Sequence, residues 1–140
     1  MAYDGEYLNV CMVQAFDFSN TSAVTVSGDR WNPCGHMLLN VGGYAGFYFH
    51  VAGLRSQPKY MTHYGFERYL KETRKAVLRR MMVHIKSPKA AQARLDERLS
   101  KPWLWAVIPN NCVAFVEDVV KAGGADNFLY FNCPAKESFT

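Results

Sequence analysis

The sequence predicts an α+β fold, an antiparallel sheet packed against helices. Three observations carry that expectation. His36–Val41 and Ala45–Ala52 are strand-like runs joined through Gly42-Gly43, the pattern of a hairpin. Ser87-Pro88 opens a helix with a capping hydroxyl and a proline at the first helical position. Asn110-Asn111 precedes an amphipathic stretch, Val113, Phe115, Val116, Val119 and Val120, that stops at Gly123-Gly124. At 140 residues the chain suits a single catalytic-size domain spanning 1–140, and nothing in it reads as a linker or an internal repeat.

Taken in order, Leu8–Phe16 is apolar enough for a buried strand. Asp17–Asp29 is rich in Ser, Thr, Asn and Gly and reads as a polar loop or weak hairpin. Trp31-Asn32-Pro33-Cys34-Gly35 forces a turn into His36–Val41. In the next run Phe47, Phe49 and Val51 alternate with Tyr48 and His50, which sets His50 on the Tyr48 face. Gly65–Lys75 reads as a short helix with Phe66, Tyr69 and Leu70 on one side. The alternation of Val77, Arg79, Met81, Val83 and Ile85 then favours a strand over one long helix. The Ser87-Pro88 helix carries Ala90, Ala91, Ala93, Leu95 and Leu99 to about Ser100, and Pro102 closes it. Trp103–Ile108 is a short apolar segment ended by Pro109, and Phe128–Phe131 suits an edge strand.

Composition narrows the function classes. Nearly half of the residues, 49%, are hydrophobic, enough for a core. The net charge of +4 is mild, and acidic residues interleave with the basic ones of Lys71–Arg80 and Lys86–Arg98, as on a solvated face. No nucleic-acid partner is therefore expected. The N-terminus lacks a basic stretch followed by an apolar run, and no segment approaches the ~20 apolar residues of a membrane span, so stable membrane insertion is not expected either. The four cysteines form no paired C-x-x-C units; free thiols are the default, and neither a metal nor a cofactor is expected.

The strongest chemical signal is Cys112 at the start of the last helix. A thiol there has its thiolate stabilised by free backbone N–H groups and the positive end of the helix dipole. Most free cysteines are simply small buried hydrophobes, and that reading competes with the catalytic one. His36, directly after a glycine turn, can take the thiol proton and return it to a leaving group. His50, on the following strand, can orient His36 through its second ring nitrogen. His63 and His84 lack such context and read as structural or solvated. Cys34 is the rival nucleophile, paired with His50 or His84, but has little helix to lower its pKa. Cys133 lies too near the C-terminus, and Cys11 sits mid-strand as core. Trp103, Trp105, Tyr44 and Tyr48 are candidates for the walls of a groove.

Gly35-His36-Met37-Leu38-Leu39-Asn40-Val41-Gly42-Gly43, then Phe47-Tyr48-Phe49-His50-Val51-Ala52, then Asn111-Cys112-Val113-Ala114-Phe115-Val116 succeed one another in a familiar order. They resemble the circularly permuted NlpC-like branch of the papain-fold superfamily, which includes the lecithin:retinol acyltransferase-like (LRAT-like) enzymes. The resemblance spans about Gly35 to Gly124. It implies a permuted papain-like fold, with Cys112 as nucleophile, His36 as general base and acid, and His50 as the third member. The chain departs from the LRAT-like pattern in having Val113-Ala114 where a Glu-His pair comes after the cysteine. Its hairpin between the histidines is slightly longer, and the hydrophobic C-terminal anchor of lipid-acting members is missing.

The resemblance implies a cysteine hydrolase cleaving an amide or isopeptide bond through a thioester, on a peptide, protein or peptidoglycan substrate. The alternatives are an LRAT-like acyltransferase or thioesterase on an acyl lipid, and a non-catalytic binding module of the same fold. In general character the chain is similar to bacterial effector toxins delivered by a dedicated apparatus. On that likeness it would reside in the cytoplasm of the producing cell, leave by a signal-peptide-independent route, and partner an immunity or delivery protein.

Overall fold

A computed structural model of the chain describes residues 2–7, 16–28, 35–51, 58–99 and 111–125, with the backbone alone at 111–114. Five antiparallel strands, β1 (Thr21–Val26), β2 (His36–Val41), β3 (Phe47–His50), β4 (Lys59–Thr62) and β5 (Val77–Val83), form one sheet in the order β4-β3-β2-β1-β5. Helix α1 (His63–Thr73) connects β4 at one edge to β5 at the other; α2 (Pro88–Leu99) and α3 (Asn111–Ala122) come after them. The α+β expectation with an antiparallel sheet against helices therefore holds. The expected strand at Leu8–Phe16, apart from Phe16, and the segments Trp103–Ile108 and Phe128–Phe131 lie outside the described residues.

Strand alternation divides the sheet into two faces. Met37, Leu39 and Val41 of β2, with Ala23 and Phe49, pack against Ala91, Leu95 and Leu99 of α2 and Phe115, Val116, Val119 and Val120 of α3. Leu38 of β2, with Val24, Val26, Tyr48 and Met61, packs against Phe66 and Tyr69 of α1. Each large apolar side chain fully buried in this way stabilises the fold by about 1.5–3 kcal/mol. Hence the sheet is covered on both sides, as a two-faced apolar pattern requires.

Local chemistry sets the helix ends. Thr62 caps α1 by accepting from Gly65 N at 3.1 Å, which starts the helix two residues before the position expected from its apolar stripe. Ser87 Oγ accepts from Ala90 N at 3.3 Å ahead of Pro88, as the sequence indicated for α2. At the far end of α3, a Cβ on Gly123 would stand 2.8 Å from Ile85 and 2.9 Å from Ala91, so only glycine lets this turn close on α2 and the exit of β5. Asp118 clamps α3 to α2, its two oxygens meeting Arg94 at 2.7 Å and Arg98 at 2.8 Å.

One expectation is overturned. Within Asp17–Asp29, read as a loop or weak hairpin, lies β1, the strand between β2 and β5, and all six of its residues are buried. Threonine is β-branched and suits a pleated strand once its hydroxyl is satisfied. Thr21 Oγ1 donates to Phe18 O at 2.7 Å, and Ser22 Oγ approaches Met82 Sδ at 3.2 Å. Among the described residues, Thr25 Oγ1 is buried with no hydrogen-bond partner. Leaving such a hydroxyl unpaired costs about 1–3 kcal/mol, so Thr25→Val should stabilise the protein by about 1 kcal/mol. Thermal melting checks this: a rise in Tm of a few degrees is expected, and a fall would show that the hydroxyl has a partner.

Candidate active site

His36 and His50 meet because the β2–β3 hairpin sets them diagonally across neighbouring strands on one face. Leu39 pairs with Phe49 and Asn40 with Tyr48, which leaves the two imidazoles offset by one diagonal step. A Cβ on Gly46 would overlap the Val41 carbonyl oxygen, so the turn that fixes this register needs glycine. His36 Nε2 lies 2.8 Å from His50 Nδ1, and the rings stand edge to face with centroids 5.0 Å apart. His50 Nε2 in turn lies 2.7 Å from the Asp4 carbonyl oxygen.

These contacts assign the protons. A carbonyl can only accept, so His50 Nε2–H donates to Asp4, and the neutral ring offers Nδ1 as an acceptor. His36 must then donate from Nε2, which leaves its Nδ1 with the basic lone pair. Asp4 is held for this role by three contacts of the N-terminal segment. Its carboxylate meets Lys59 Nζ at 2.7 Å, Glu6 bridges to Tyr60 of β4, and Tyr3 N donates to Glu72 of α1 at 2.9 Å.

Both imidazoles are kept neutral. Burial lowers His50 from the ordinary histidine value to about 4, with the Asp4 carbonyl and carboxylate opposing the fall and Lys59 adding to it. Burial also pushes His36 well below its usual value, and His50 and Lys75 push the same way. His36, first in β2, is partly exposed, whereas His50 is 1% exposed and packs edge-on against Tyr69 of α1. The charged group acting on His36 is cationic, so nothing in the described surroundings favours its imidazolium form.

On sequence, His36 takes the proton of the Cys112 thiol. In the structure His36 lies on the face of the sheet opposite the helix that carries the cysteine. Its register partner is Val26, and it shares the α1 face with Leu38 and Asn40, whereas α3 packs on the opposite face. The cause is the alternation in β2: Met37, Leu39 and Val41 fill the core beneath α2 and α3, which turns the histidine away. Cys112 lies in the first turn of α3, as expected, but its side chain lies outside the described residues, as do Cys34, Cys11, Cys133, Trp103 and Trp105. The C-terminal turn of α3 is anchored where β5 exits, through Ser87 N and Gly123 O at 2.9 Å, and its body packs on β2 and β3. The first turn is thereby carried away from the end at which β2 finishes.

Of the two groove-wall candidates among the described residues, Tyr44 is 71% exposed and Tyr48 is fully buried. His63 is engaged with Tyr48 OH at 3.1 Å and Glu67 Oε1 at 3.0 Å. The carbonyl of Asp4 was not legible as a partner of His50, because a backbone oxygen 46 residues away leaves no mark in the sequence. Among the described residues no three His, Cys, Asp or Glu side chains converge to hold a metal, and no helix is long and apolar enough to cross a membrane. No family model matches the sequence, and no curated protein or solved structure matches it.

Proposed function

We propose that the chain is a cysteine-dependent hydrolase of permuted papain-like type, cleaving amide or isopeptide bonds in a peptide, protein or peptidoglycan substrate. The observation that carries this reading is the chain of hydrogen bonds from His36 Nε2 through His50 to the Asp4 carbonyl, which leaves His36 Nδ1 as the basic nitrogen. A base oriented through one nitrogen, with the lone pair on the other, is what a thiol nucleophile requires. Cys112, in the first turn of a 12-residue helix, supplies that thiol. Because the imidazoles lie on one face and α3 on the other, this chemistry requires the Cys112 thiol to reach His36 around the end of the sheet where β1 finishes and β2 begins.

In the proposed sequence His36 Nδ1 takes the thiol proton, and the thiolate attacks the carbonyl carbon while the Cys112 backbone N–H holds the oxyanion. The C–N bond breaks as His36 returns the proton to the leaving amine, giving a thioester. Water then attacks the thioester, its proton passing to His36 and back to the departing sulfur. The thiolate is the anion that His36 lacks in its surroundings, so proton transfer and pairing favour each other.

Mass spectrometry of a substrate panel tests the reading. Peptidoglycan fragments and isopeptide-linked peptides should be cleaved by the wild type and not by Cys112→Ala. Turnover confined to detergent-dispersed acyl esters or thioesters would replace it with the acyltransferase or thioesterase alternative. No turnover of either class, with an unreactive Cys112, would leave a binding module.

A further inference from the structure

On the α1 face, beyond the histidine pair, β5 sends Arg80 across the sheet. Its guanidinium donates to Asn40 Oδ1 on β2 at 3.3 Å and to Tyr48 OH on β3 at 2.6 Å. Both acceptors are neutral. Arg68, by contrast, pairs with Glu72, and Arg94 and Arg98 pair with Asp118, whereas Arg80 meets no carboxylate among the described residues. Two of its five N–H groups are used, and an exposed guanidinium with three donors left is a standing demand for an oxyanion.

The surroundings hold the fork in place. Its carbon lies 5.4 Å from the centre of the Tyr48 ring and 5.6 Å from that of Tyr44. Tyr48 OH accepts from Arg80, so it donates to His63 Nδ1, and His63 Nε2–H is then spent on Glu67. The nearby carboxylate of Glu67 is thus occupied by His63 rather than by Arg80. Burial keeps the Tyr48 hydroxyl protonated, against the pull of Arg80. Two exposed apolar side chains share this face of the sheet. Tyr44 is 71% exposed, its ring centre 4.3 Å from that of His63; Met82 is 61% exposed and two residues along the same face of β5.

We propose that Arg80, Tyr44 and Met82 form a binding site for a carboxylate carried on an apolar body, such as the free end of a peptide or of an acyl chain. The guanidinium fork takes the carboxylate, and the exposed ring and thioether take the apolar part. The site stands apart from the thiol chemistry and is tested by binding alone.

Backbone amide shifts of isotopically labelled protein report it, with N-acetyl-leucine, N-acetyl-leucinamide, hexanoate and inorganic phosphate as probes. N-acetyl-leucine should shift Tyr44, Arg80 and Met82 saturably, at least tenfold more tightly than its amide. R80Q should abolish that difference, and R80K, which keeps the charge without the fork, should weaken the acid severalfold; if R80Q fails to fold, the wild-type acid-to-amide ratio and R80K decide. Hexanoate binding as well as N-acetyl-leucine would assign the acyl chain, and weaker binding the peptide end. Equal binding of acid and amide, or phosphate binding as tightly as the acid, would overturn the proposal.

Discussion

Cys112→Ala should lower kcat/KM on the cleaved amide by roughly 10³-fold or more, about 4 kcal/mol of transition-state stabilisation. His36→Ala should cost roughly 10²–10⁴-fold, the usual worth of a positioned general base. Because thiol and imidazole act as a unit, the double variant should be little worse than Cys112→Ala alone. Neither change should alter the melting temperature by more than a few degrees, which separates loss of chemistry from loss of fold. Steady-state kinetics with thermal melting on the three variants checks this. Additive losses would mean that the two residues work independently, and an active Cys112→Ala beside an inactive Cys34→Ala would move the nucleophile to position 34.

The second large effect is on stability in acid. His50 is neutral and buried in the folded protein, with its pKa lowered to about 4, while in the unfolded chain it titrates at its ordinary value near 6.5. Between those values the unfolded state binds the extra proton, so stability is fully present above about pH 6.5 and falls as the pH drops toward 4. From pH 7.5 to 4.5 the loss assigned to His50 is roughly 2.5 kcal/mol. His36, lowered in the same direction, adds to it. His50→Gln keeps an amide donor for Asp4 and an acceptor for His36 but cannot take a proton. Urea unfolding at the two pH values should show a clearly smaller loss in His50→Gln than in the wild type. Equal losses would place the titration elsewhere.

How much of this was legible in the sequence differs by element. β2, β3, α2 and α3 carry their own signals: alternation around a glycine hairpin, Ser-Pro at one helix start and paired asparagines at the other. β1 was hidden because Thr and Ser serve turns and strands alike, and only the partners of Thr21 and Ser22 decide between them. β4 is four residues long, and its pairing with β3 and the bridge to Glu6 are long-range facts that no local pattern encodes. At the candidate site, the shared face of His36 and His50 comes from even spacing on two strands of one hairpin. The side of the sheet they face does not, since it depends on which of two apolar sets the later helices cover. Arg80 likewise looked like one basic residue among many until the strand order carried it over β1 to Asn40 and Tyr48.

The pairing of one thiol with one imidazole is most directly tested by the pH dependence of Cys112 alkylation in a variant whose other three cysteines are replaced, with and without His36→Ala. The Cys112 pKa should lie well below the ~8.5 of a free cysteine and rise toward that value when His36 is removed. A thiol that titrates at or above the free value and is indifferent to His36 would contradict the proposed pair.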